Sequence, residues 1–137
     1  MPNKIVSLFA FAILFSMVIA SGCGQPKING KVVFSDDESP VTQGVVIFHG
    51  DHGIARGEIQ KDGRFVVSSI KKNDGLPPGK YRISIKETQI DISGGGLPTY
   101  KNVIDKKYES PDTSGLTLDV QKSQTFDIKV ERFPNAQ

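Results

Sequence analysis

Residues 79–87 read GKYRISIKE, with Tyr81, Ile83 and Ile85 alternating with Lys80, Arg82, Ser84 and Lys86. Only an extended strand, whose side chains point to opposite faces in turn, sorts that order into one apolar and one polar face. A helix would scatter it around the axis. The same period recurs along the chain. KINGKVVF places Ile28, Gly30, Val32 and Phe34 on one side, and GIARGEI groups Ala55, Gly57 and Ile59. RFVVSSI offers Phe65 and Val67, GLTLDV offers Leu116, Leu118 and Val120, and TFDIKVERF offers Phe126, Ile128 and Val130. GVVIFHG is apolar without a break and predicts a central strand covered on both faces.

Composition agrees. From Cys23 onward there are 21 valines and isoleucines against four leucines, two alanines and no methionine. β-Branched residues favour strands and the best helix formers are scarce. Thirteen glycines and seven prolines in the same stretch break the chain often. Asp62-Gly63 predicts a tight hairpin between the third and fourth strands. Pro77-Pro78-Gly79 predicts a turn that fixes the register in which Tyr81 enters the core. Seven strands with turn signals between them predict an all-β fold, an antiparallel β-sandwich over residues 28–133.

The first residues differ in kind. Lys4 is followed by an apolar run from Ile5 to Ala20, interrupted only by Ser7 and Ser16, and no acidic residue precedes Asp36. The run is short for a spanning helix, which needs about 20 apolar residues. A positive start, an apolar middle and a small-residue end predict a secretory signal helix over residues 1–22. Ala20-Ser21-Gly22-Cys23 resembles the bacterial lipobox, although leucine is commoner where Ala20 stands. The resemblance implies cleavage between Gly22 and Cys23, a diacylglyceryl group on the Cys23 thiol and acylation of the new amine. It accounts for a solitary cysteine, because a thioether sulfur forms no disulfide. Several acyl chains also hold a bilayer where one chain is marginal. Residues 23–27 are then a lipidated N-terminus and a short tether. Gly24, rather than aspartate, follows the cysteine, which by resemblance to the sorting rule implies an outer-membrane address in the bacterial cell envelope.

The glycine-containing first strand, PVTQGVVIF, KDGRFVV and DGLPPGKYRISI resemble the carboxypeptidase regulatory-like and transthyretin-like (prealbumin-like) domains. That family implies a seven-stranded Greek-key sandwich and carries no activity over. IDKKYESPDTSGLTLDV resembles a segment of small uncharacterised lipoproteins of planctomycete-type bacteria.

Chemistry is sparse in the pattern. His49-Gly50-Asp51-His52 brings two imidazoles and a carboxylate together, which could meet one metal ion, but a third ligand at a suitable spacing is missing. An ordinary solvated turn is the competing expectation for His49, Asp51 and His52. Asp36, Asp37 and Glu38 lack the spacing of a calcium loop. Gly94-Gly95-Gly96 lacks the Lys-Ser/Thr of a phosphate loop, and Gly-x-Ser-x-Gly and His-Glu-x-x-His are absent. The chain is expected to be a non-enzymatic module with no cofactor. Past residue 22 it holds 16 basic and 15 acidic residues, a balance that argues against nucleic acid as partner. The expected contacts are the bilayer, through Cys23, and an envelope protein or polysaccharide. The 27-residue connection 88–114 is too long for an ordinary sandwich loop. Its Gly94–Gly96 run, Pro98 and Pro111 are expected to prevent another strand pair, leaving an excursion with Ile104 or Tyr108 docked. Tyr100, Lys101, Lys106, Lys107 and Tyr108 are the candidate partner surface, against the alternative that the segment merely covers a sheet edge.

Overall fold

Alternating β-branched and polar residues give the chain two sheets whose apolar faces meet. A computed structural model describes residues 24–134; the signal segment, the cleavage point and Cys23 lie outside the described residues. The strands are β1 (Ile28–Phe34), β2 (Val45–Gly50), β3 (Gly53–Glu58), β4 (Arg64–Val66) and β5 (Gly79–Lys86), then β6 (Gln89–Asp91) and β7 (Tyr100–Asn102). After a 3₁₀ turn (Lys106–Glu109) come β8 (Leu116–Val120), β9 (Gln124–Thr125) and β10 (Ile128–Val130). Among the described residues no helix is long and apolar enough to cross a membrane.

One sheet runs β3-β2-β5-β8 and is antiparallel throughout. In the other, β1 pairs with β4 on one side and with β9 and β10 on the other. Phe48 of β2 joins the two layers: its ring lies 6.5 Å from that of Phe65 and 6.4 Å from that of Phe126. Ile28, Val32, Val46, Val67, Ile83, Ile85, Val120 and Val130 are buried around them. Gly30 shows why the first strand carries a glycine. A Cβ there would stand 1.9 Å from the Phe126 carbonyl oxygen, so only a hydrogen lets the last strand come so close.

Three expectations are corrected. The sandwich is not wholly antiparallel, because β9 and β10 run parallel to β1 (Ile28 opposite Gln124, Val32 opposite Ile128). The last strand is also interrupted at Phe126-Asp127, where Phe126 N donates to the Asn29 carbonyl and the Asp127 carboxylate accepts from Lys31 N instead of continuing the ladder. Second, Asp62-Gly63 does turn the chain, with Gln60 N bonded to the Arg64 carbonyl at 2.8 Å, but the strands it joins belong to different sheets. Beyond the turn the two segments are bridged at Arg56 and Ser68, and β4 leaves to pair with β1. Third, the connection after β5 does contain a strand pair, β6–β7. The glycines and Pro98 all fall in its turn, outside the ladder, so they do not interrupt it. With that hairpin and the broken last strand there are ten strands among the described residues rather than seven. β2 is central, as its apolar run implies, but Ile47 and His49 on its outer face are only half-covered.

Candidate functional site

The functional features gather at the two ends of the sandwich, separated by the length of β5. Eight residues at about 3.3 Å each make that span roughly 26 Å.

One end is where the chain enters. Leu76 N donates to the Pro26 carbonyl at 3.1 Å, Ser69 Oγ lies 3.4 Å from Gln25 Oε1, and Lys27 N donates to Ser123 Oγ at 2.8 Å. Gly75 accepts this contact because it has no side chain: a Cβ would stand 2.2 Å from the Pro26 oxygen. Residues 25 and 26 therefore lie against loop 68–76 and do not form a free arm. Asp74 organises that loop, accepting from Ser69 N (2.7 Å), Ser69 Oγ (2.9 Å), Ile70 N and Lys71 N (both 2.8 Å). These bonds, the one from Lys71 N foremost, hold its carboxyl well below the usual range. Ile70 is 92 % exposed at the crest. A small cavity of about 120 Å³ beside it is lined by Gln25, His52, Ile54, Ile70 and Pro77 among others.

At the same end the Pro77-Pro78-Gly79 turn has the structural role its composition implies. Tyr81 packs edge-on against Phe48, with centroids 6.2 Å apart, and its hydroxyl donates to the Pro77 carbonyl at 2.7 Å. Burial, and then Asp51, push its pKa up. The two histidines face different places. His49 lines an open groove of about 620 Å³ with Asp51, Lys80, Arg82 and Asp119, whereas His52 lines the small cavity. His49 Nε2 is 2.9 Å from Ser84 Oγ, and its pKa is lowered by burial first and then by Lys86 and Arg82, an environment that favours the neutral ring. Among the described residues no three His, Cys, Asp or Glu side chains are arranged to hold a metal ion.

The opposite end carries the long connection, and it splits the candidate partner surface. Hairpin β6–β7 leaves β5 at Lys86 and projects. Ile92 is 53 %, Tyr100 63 % and Leu97 90 % exposed. Asp91 shapes the turn by accepting from Ser93 N (2.8 Å) and Thr99 N (3.4 Å), and the first of these bonds chiefly lowers its pKa. Residues 103–115 instead strap the sandwich shut. Ile104 bridges to Arg132, Asp105 N donates to the Glu131 carbonyl at 3.0 Å, and Ile104 and Tyr108 are both buried. The Tyr108 hydroxyl accepts from Glu131 N at 3.2 Å, and the Ser114 hydroxyl donates to the Ile83 carbonyl on the other sheet. Lys107 pairs with Glu131 at 2.8 Å, a bond that raises its pKa. Of the five candidates, Tyr100 and Lys101 belong to the projecting arm, Lys106 is exposed on the strap, Lys107 is tied to Glu131, and Tyr108 faces inward. Ile92 and Leu97 belong to the exposed arm and were missed, since an apolar residue in sequence does not announce that it will remain uncovered.

The Asp36-Asp37-Glu38 turn is a clamp. Arg132 lies 3.7 Å over the Phe34 ring and bonds Asp36 and Asp37 at 2.8 Å each. Hydrogen bonds from Ser39 and the charge of Arg132 hold Asp37 at a pKa of about 2.

The architecture and the two ends define the class as an all-β sandwich. Its fold is similar to part of a variant of BcpA, the major pilin subunit of Bacillus cereus, with a TM-score of 0.50 at 14 % identity over 81 % of this chain. Unmutated BcpA gives a TM-score of 0.48 at 16 % identity over 80 % of this chain. The chain spans only 30 % of the pilin's length. No family model and no curated protein matches it.

Proposed function

We propose that this protein is a lipid-anchored, non-enzymatic binding module of the bacterial envelope. Its carboxypeptidase regulatory-like (transthyretin-like) sandwich holds the β6–β7 hairpin out to an envelope protein or polysaccharide. The observation that carries the proposal is the placement of the two ends. Pro26, three residues after Cys23, is bonded to Leu76 at one end of β5, while the exposed hairpin leaves the other. An acyl group on Cys23 would seat the first end on the bilayer and direct Leu97 and Tyr100 away from it. Loops held on a rigid sandwich suit recognition, and edge-strand backbone with exposed apolar and aromatic side chains suits a partner that adds to the hairpin or stacks on it. The lipobox resemblance and Gly24 favour the outer membrane.

The test is photo-crosslinking in living cells from reactive residues at Leu97 and, in parallel, at exposed Lys106, repeated from Lys106 after residues 92–99 are replaced by a two-residue turn. The shortened protein should fold with an unchanged melting temperature, to within a few degrees, and lose its crosslinked neighbours. Retention of the same neighbours, trapped from another exposed position, would remove the hairpin from the interface.

A further inference from the structure

We propose that loop 68–76 is a second, non-covalent membrane contact, in which Ile70 enters the interfacial layer of an anionic phospholipid bilayer and Lys71 and Lys72 meet its headgroups. The proposal rests on the anchoring of Cys23 put forward above. It starts from an isoleucine that the protein holds in water by construction. Ile70 is 92 % exposed, yet its own N–H and both neighbouring residues are bonded to Asp74. Asn73 N is further bonded to Ser68 Oγ at 2.8 Å, and Asp74 N to the Lys71 carbonyl at 3.1 Å. A frayed loop would expose any residue at random. Here the hydrogen bonds fix the crest with the apolar side chain outermost, and Ile54, 55 % exposed, shares a cavity with it.

The position of the crest identifies the occupant. Ser69 touches Gln25, only two residues from Cys23, and a chain extends at most about 3.5 Å per residue. Ile70 is therefore tethered within roughly 20 Å of Cys23, close enough for the crest to reach the headgroup layer of a bilayer that the acyl chains enter. The charges fit as well. Lys71 and Lys72 follow Ile70 and are exposed. Lys27 bonds the Asn73 carbonyl beneath them. The one carboxylate inside the loop, Asp74, is turned onto backbone donors. An apolar tip followed directly by exposed basic side chains is what an anionic interface binds. Each lysine near such a surface strengthens binding by about fivefold.

The chain contains no tryptophan, so a single introduced one reports its surroundings alone. Full-chain Ile70→Trp protein, taken from membranes and reconstituted into phosphatidylglycerol–phosphatidylcholine vesicles, should show blue-shifted emission. Brominated lipids should quench it more than aqueous iodide does, and Leu97→Trp should show the reverse. Adding Lys71→Glu and Lys72→Glu to Ile70→Trp, or omitting phosphatidylglycerol, should move quenching toward iodide. Iodide-dominated quenching of Ile70→Trp overturns the proposal, as does protection from both quenchers, which would mean that protein covers the loop. Mass measurement of the N-terminus in the same sample judges the anchor separately. Without acyl chains on Cys23 the anchoring proposal falls, while the depth of residue 70 still decides for or against the loop.

Discussion

The connection between β5 and β8 behaves as two structures. Its first half, hairpin β6–β7, satisfies most of its backbone within itself, with Gln43 donating to the Gln89 carbonyl at its base, and leaves Ile92, Leu97 and Tyr100 in solvent. Its second half, residues 103–115, forms short turns rather than a ladder, with Tyr108 N bonded to the Asp105 carbonyl and Ser114 N to the Ser110 carbonyl. It is tied to the body through residues 131–133 and through Ile83 of β5, and it buries Ile104 and Tyr108. Similar apolar residues within one connection thus have opposite fates. The difference lies in where their backbone finds partners. A strand pair can stand away from the body because its ladder needs no outside donor, whereas an irregular strap is stable only where the fold supplies one.

The sharpest way to break the contrast is truncation on each side. Ile104→Ala should cost about 2–5 kcal/mol, because it empties a fully enclosed site. Ile92→Ala should fall within about 0.5 kcal/mol of the parent, as surface changes do. Denaturant titration of both variants measures this, and equal losses would mean that the hairpin is packed after all. Tyr108→Phe should cost about 1 kcal/mol by leaving Glu131 N without its partner, while Tyr100→Phe should leave the denaturation midpoint where it was.

The smallest effect concerns acid. The folded pKa of Asp91 is lowered, so its contribution to the hairpin turn is present above the unfolded value near 4 and is lost as pH falls through the folded value. The amides of Ser93 and Thr99 should then exchange faster as the solution is acidified, after correction for intrinsic rates. Ile104 and Tyr108 amides should lag behind them. Uniform acceleration across residues 89–115 would mean that the two halves open together.

Much of this was readable before any coordinates. Alternation in residues 79–87 and 116–120 located β5 and β8, and the prolines before Gly79 located the turn that delivers Tyr81. Other features were not. Asp62-Gly63 has the composition of a hairpin turn, and nothing local reveals that β4 will leave β3 for β1. The glycines of residues 94–96 read as an obstacle to pairing because register is invisible in sequence, and register puts them all in the turn. The sequence offered Tyr108 both as a docked residue and as part of the partner surface, and Glu131, 23 residues further on, decides for docking by supplying the partner that holds it inward.

The sequence by itself determined that the chain is built of strands, because side-chain period and β-branching are local properties that no partner is needed to express. The order Ala20-Ser21-Gly22-Cys23 carries the lipobox resemblance on which the proposed anchor rests. The tertiary structure alone decided which apolar residues are core and which are offered to the surroundings. Burial depends on what lies opposite, and for Ile70 at one end and Leu97 at the other nothing in the described residues does.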